Sequence, residues 1–225
     1  MKDKVKVHFL HIGKTGGTAI KHALHCTNYE VETKKYIIYC HPHSFSLEDV
    51  PPNEKVFFFV RDPVSRFISG FYSRRRKGEP RYYGEWSSEE KKSFENFKTP
   101  NELGLALSSK DNALKEKAIQ AMKSIEHVRS SYGDWIKDEK YFLEKIDQVL
   151  FIGTQENLSN DFQNLKALLG ISGNTTLPID NVDMHKNPDN INKKLDTVAI
   201  QNIKNWYKTD YDLLDVMKEH KLLTN

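Results

Sequence analysis

Gly13-Lys14-Thr15-Gly16-Gly17-Thr18 carries the first chemical signal in this 225-residue chain. A loop of small residues between a strand and a helix exposes successive backbone N–H groups at a helix start, and Lys14 adds a mobile full charge, so the stretch suits an anion. Its order differs from a Walker loop, which closes on Gly-Lys-Ser/Thr; here the lysine precedes the paired glycines. A second signal is Arg61-Asp62-Pro63, followed by Arg66 and Ser69. A guanidinium at a strand end can fork onto phosphate, and Ser69, two turns into the next helix, can present its hydroxyl beside it. A third is Arg74-Arg75-Arg76-Lys77. From Arg61 to Lys77 six basic side chains face one carboxylate, an excess of +5 where the whole chain carries +3. Any anion site is therefore local.

Strands and helices must position these groups. Val5, Val7 and Phe9 alternate with Lys6 and His8, which predicts a strand running into the glycine loop, and Ile20, Ala23 and Leu24 continue at helical spacing. Val56-Phe57-Phe58-Phe59-Val60 is continuously apolar, as a strand covered on both faces requires. Asp62 at the N-cap and Pro63 at the first helical position then start a helix that buries Val64, Phe67, Ile68, Phe71 and Tyr72. Residues 79–110 read as an irregular excursion with a short helix near Ser87 to Phe97, a candidate acceptor loop. Leu114 to Val128 predicts an amphipathic helix, Gln148 to Gly153 a strand, Leu158 to Leu168 a helix stopped by Gly170, and Ala199 to Leu214 a final helical region. Repeated strand-helix units imply an α/β fold with a mostly parallel central sheet flanked by helices, read as one domain over 1–225 that binds ligands at strand carboxyl ends.

Composition narrows the classes. No window approaches 18 consecutive apolar residues, and Met1 to Leu10 reads as a charged lead and not an apolar signal core, so no membrane partner is expected. The small net charge argues against a nucleic-acid partner. Cys26 and Cys40 are too few for a disulfide framework and lack zinc-site spacing; they read as buried thiols in a reducing, cytoplasmic compartment. Nothing in the sequence sets the oligomeric state.

Three stretches together resemble the sulfotransferase superfamily that uses 3′-phosphoadenosine 5′-phosphosulfate, especially its carbohydrate branch of heparan-sulfate 2-O- and 6-O-like enzymes. They are His11 to Thr18, Val60 to Ser69 with arginine and serine eight residues apart, and Gly153-Thr154-Gln155-Glu156-Asn157-Leu158 followed by Asp161-Phe162. The resemblance implies a nucleotide-kinase-like fold. It makes Lys14 the contact to the 5′-phosphate and the transferring sulfuryl oxygens. Gly13, Thr15, Gly16, Gly17 and Thr18 become loop contacts, and Arg61 and Ser69 hold the 3′-phosphate. The product is adenosine 3′,5′-bisphosphate, and the scheme needs no metal.

The acceptor hydroxyl, expected on a carbohydrate, needs a base. His41-Pro42-His43 resembles the His-X-His segment of the 2-O-sulfotransferases, with proline where that branch has glycine. His43 is the first choice and His41 the second; Asp111, Asp134 and Glu156 are the acidic alternatives. Arg75, Arg76 and Lys77 are expected to bind an anionic acceptor. Tyr132, Gly133, Asp134 and Trp135 can line an acceptor pocket. Two other readings use the same anion chemistry: an ATP- and magnesium-dependent nucleotide or small-molecule kinase, and a non-catalytic polyanion-binding module.

Overall fold

In the computed structural model, which describes residues 4–26, 30–180 and 191–223, the apolar runs of the sequence become a five-stranded sheet. Met1–Asp3 of the charged lead lie outside the described residues. The strands are β1 (Val5–Leu10), β2 (Glu30–Glu32), β3 (Tyr36–Cys40), β4 (Lys55–Val60) and β5 (Val149–Thr154), in spatial order β2-β3-β1-β4-β5. β1 lies parallel to β3 and β4, and β4 parallel to β5, while the edge strand β2 runs antiparallel to β3. The helices in chain order are α1 (Gly17–Ala23), α2 (Pro63–Arg75), α3 (Ser88–Asn96), α4 (Pro100–Ala106), α5 (Asn112–Ser124), α6 (Glu126–Arg129), α7 (Gly133–Ile136), α8 (Glu139–Glu144), α9 (Leu158–Leu169), α10 (Thr197–Trp206) and α11 (Lys208–Glu219). The α/β class with a mostly parallel central sheet follows as the strand-helix order implied.

The chain divides into two units. The first comprises Met1–Arg61, Tyr132–His185 and Asp212–Asn225 and contains the sheet. Its core joins Val7 and Phe9 of β1, Phe57 and Phe59 of β4, Ile20 of α1, and Phe162 and Leu165 of α9. Burying each such aromatic or branched side chain contributes about 1.5–3 kcal/mol. Because side chains alternate along a strand, His8, between Val7 and Phe9, faces the other side of the sheet.

The second unit, Asp62–Ser131 and Lys186–Tyr211, is helical. Asp62 caps α2 as the sequence predicts, its carboxylate accepting from the Ser65 amide at 2.8 Å with Pro63 following. Phe67, Phe71, Phe94, Met122 and Ile203 form its core. Within it Arg66 and Asp210 make a fully buried ion pair at 3.0 Å, over which the Tyr207 ring lies.

Several expectations are corrected. The short helix expected near Ser87 to Phe97 is present as α3, but the stretch 79–110 also contains the unexpected α4; each is opened by a capping box, Ser87 with Glu90 and Thr99 with Glu102. The helix expected over 114–128 breaks at Ile125, and the last helical region is two helices that part at Tyr207. Strand β3 is absent from the sequence reading. Cys26 and Cys40 are joined in a disulfide, their Cα atoms 6.1 Å apart, so the reading of two buried thiols is overturned and a reducing compartment loses its support. Among the described residues no helix is long and apolar enough to cross a membrane.

Candidate active site

β1 delivers the chain to the glycine loop, and α1 carries it away. Lys14 sits in the left-handed region, φ 68°, and Gly16 also has positive φ, 91°. The left-handed backbone costs a non-glycine residue about 1–2 kcal/mol, and strain of that kind is retained where surrounding structure and function demand it. Thr15 holds the turn by donating its hydroxyl to the Ile12 carbonyl at 2.9 Å. Side chains press on the loop: a Cβ on Gly16 would meet Leu158 at 3.1 Å, and one on Gly17 would fall inside the His11 imidazole. Leu158 and Gln155 belong to the β5-α9 segment singled out in the sequence, whose turn is pinned by buried Asp161. That carboxylate accepts from the Thr154 amide at 2.7 Å, the Thr154 hydroxyl and Asn157 Nδ2. This segment thus acts as a buttress for the loop.

Arg61 ends β4 half-buried, and its Nη1 donates to the Lys14 carbonyl at 3.3 Å. Its peptide is clamped by Tyr132, whose hydroxyl accepts from the Arg61 amide at 2.8 Å and donates to the Arg61 carbonyl. Tyr132 is fully buried, so it does not line an acceptor pocket. Trp135 is also buried. It packs against Gly13 and donates Nε1–H to the His43 carbonyl at 2.8 Å.

The two candidate bases separate. His43 is exposed, its ring centroid lies 3.8 Å from that of His11, and its Nδ1 bonds the His11 carbonyl at 2.8 Å. A carbonyl only accepts, so Nδ1 carries the proton and Nε2 the lone pair, the tautomer a general base requires. Through His11, His43 is next to Gly17 of the loop. His41 turns instead to His8, with Nε2 2.8 Å from His8 Nδ1, and His8 Nε2 lies 2.5 Å from Glu54 Oε2. The His41 ring stacks on Phe45 at 3.5 Å, and Lys21 donates to the His41 carbonyl. Burial first, then the charges of His8 and Lys21, push the His41 imidazole down to about 4. Burial opposes ionisation of Glu54, but hydrogen bonds from His8 and Lys6 hold its carboxyl below the usual range.

A model of the sulfotransferase family matches residues 1–215. The chain belongs to the sulfotransferase family. No curated protein matches it. Family membership makes it a transferase of sulfuryl groups with a hydroxyl-bearing acceptor. In this sulfotransferase Lys14, Arg61 and His43 lie in the sheet unit. Ser69, half-buried on α2, and Arg75, Arg76 and Lys77 lie in the helical unit. There much of the basic run is engaged internally. Arg74 is buried and grips Glu90 at 2.8 and 2.7 Å, Arg76 donates to the Glu79 carbonyl, and Lys77 pairs with Glu85 at 2.8 Å. Asp111, an alternative base, caps α5 through the Ala113 and Leu114 amides. Among the described residues no three His, Cys, Asp or Glu side chains converge as a metal centre requires. The roles of Tyr132 and Glu54 carry no motif signal, since each acts through a partner remote in sequence.

Proposed function

We propose that this sulfotransferase takes 3′-phosphoadenosine 5′-phosphosulfate as donor and a carbohydrate hydroxyl as acceptor, in the manner of the 2-O- and 6-O-acting branch. The observation that carries the proposal is the loop at Gly13–Thr18, where Lys14 stands in a left-handed backbone and its carbonyl receives the Arg61 guanidinium. That arrangement brings two permanent cations to one strand-end loop, as a donor with separate 5′ and 3′ anionic groups requires.

In the reaction the bond from sulfur to the 5′-phosphate oxygen breaks, a bond from sulfur to the acceptor oxygen forms, and the acceptor proton leaves. Lys14 stabilises the charge that builds on the departing phosphate oxygen, and Gly13, Thr15, Gly16, Gly17 and Thr18 hold the surrounding oxygens. Arg61 binds the 3′-phosphate, with Ser69 added on the strength of the eight-residue motif spacing alone. His43 takes the proton at Nε2, and the fixed Nδ1–H to the His11 carbonyl supports it over His41. Arg75, Arg76 and Lys77 serve an anionic acceptor. We treat 1–225 as one catalytic domain, because the family match runs through both units. The cytoplasmic placement expected from two thiols is not carried into the proposal, since those cysteines are bonded.

Thermal or chemical denaturation with nucleotides tests this reading. Adenosine 3′,5′-bisphosphate without metal is expected to stabilise the protein by about 2.7 kcal/mol at 100 times its Kd. Stabilisation by ATP that depends on magnesium, with no response to the bisphosphate, would overturn the donor assignment in favour of a kinase.

A further inference from the structure

Helix α7 is a single turn with no motif of its own, yet it reaches residues far away in sequence that carry three parts of the candidate site. At its entry Tyr132, fully buried, bonds both the amide and the carbonyl of Arg61, 71 positions away. Saturating both polar groups of one residue with one hydroxyl fixes the backbone from which the guanidinium projects. Three positions on, Trp135 donates Nε1–H to the His43 carbonyl, 92 positions away, and its ring edge lies 3.4 Å from where a Cβ on Gly13 would stand. The turn is anchored. The amides of Trp135 and Ile136 return to the Tyr132 carbonyl at 3.0 and 2.9 Å, and Lys137 Nζ bonds Glu48 at 2.7 Å, in the short helical turn Leu47–Asp49 that follows His43.

We propose that Tyr132 and Trp135 are positioning residues on one rigid turn with separable duties: Tyr132 aims Arg61 for 3′-phosphate recognition, and Trp135 holds His43 against the glycine loop for proton removal. Neither touches donor or acceptor. The inference rests on the assignment of Arg61 and His43 made above.

The test pairs two conservative variants with two readouts. Affinities for adenosine 3′,5′-bisphosphate and adenosine 5′-monophosphate measure the preference for a 3′-phosphate, and ¹⁵N NMR of the His43 ring, assigned by its loss in His43→Gln, reports its tautomer. Tyr132→Phe keeps the ring and removes the hydroxyl. It is expected to lower the 3′-phosphate preference by about tenfold, the scale of one charge-assisted bond misplaced, with 5′-monophosphate affinity little changed. Trp135→Phe removes the N–H, and it is expected to leave both affinities near wild type while shifting the His43 ¹⁵N resonances away from the Nδ1–H form. Tyr132→Phe weakening both nucleotides equally, or neither, overturns the first duty; unchanged His43 resonances in Trp135→Phe overturn the second. An Arg61→Ala variant separates the causes. If it keeps the full preference, the donor-site assignment itself falls and the first duty with it; if it loses the preference while Tyr132→Phe retains it, the positioning role alone falls. Should Tyr132→Phe not fold, hydrogen exchange on the intact protein decides. The bisphosphate must slow the Arg61 amide more than the monophosphate does, and equal protection overturns the first duty.

Discussion

His41 and His43 are one proline apart, and the neighbours of each ring, not its place in the motif, decide what it can do. Ionised Glu54 can only accept, so His8 Nε2 donates to it, and a charged His8 also donates from Nδ1 to His41 Nε2, which must then accept. His41 is thus committed to a buried relay that favours its neutral form. In the unfolded chain it titrates near its ordinary value of 6.5, and in the fold it is pushed down to about 4, by burial first. A depressed histidine binds fewer protons folded than unfolded, so its contribution is complete above pH 6.5 and is lost as the pH falls from 6.5 toward 4. His41→Gln, which cannot titrate, is expected to be less stable than wild type at pH 7, with the gap narrowing on acidification through that window. Urea denaturation at pH 7, 5.5 and 4.5 checks it; a gap that does not move with pH would show that His41 does not titrate in this way.

The glycine loop is made by the segments around it as much as by its own residues. Gly16 combines φ 91° with Leu158 at 3.1 Å, so Gly16→Ala is expected to cost about 1–2 kcal/mol of backbone strain and to weaken adenosine 3′,5′-bisphosphate, read by denaturation and calorimetry. Gly173→Ala, with open space around it and no positive φ, is the control and should stay within about 0.5 kcal/mol. Strand β1, the loop, strand β4 and the Asp62-Pro63 helix start were legible because their signals are local: alternation, a continuous apolar run, a cap. Strand β3 was not, since Tyr36 to Cys40 is short and enters from Lys34-Lys35 with no alternation. Helix α4 has a capped start in Thr99, Pro100 and Glu102, but Gly104 interrupts its seven residues and weakens the helical signal. The hold of Tyr132 on Arg61 and of Trp135 on His43 had no local signal, since both pairs meet only when the sheet is assembled. Cysteine spacing says nothing of Cα separation, so the Cys26–Cys40 bond leaves no signal in the sequence.

Stability and covalent connectivity belong to the chain as a whole. In the helical unit Arg66 and Asp210 face each other with 2% and 0% of their side chains exposed, and Arg66 also donates to the Ser130 carbonyl. Removing one member strands the other charge away from water, so Asp210→Ala is expected to lose about 3–5 kcal/mol in urea denaturation, and replacing both Arg66 and Asp210 with Met and Leu to recover most of it. A loss under about 1 kcal/mol would mean that Arg66 finds water once its partner is gone. The Cys26–Cys40 bond has a different reach. It closes the chain into a ring between Cys26, three residues past the loop helix, and the last residue of β3, with Lys34 and Lys35 inside it. A protease cutting after either lysine would open that ring without releasing a fragment. The piece bearing the glycine loop and the piece bearing His41 and His43 would stay one covalent molecule, and the nick would become visible only after a reductant was added.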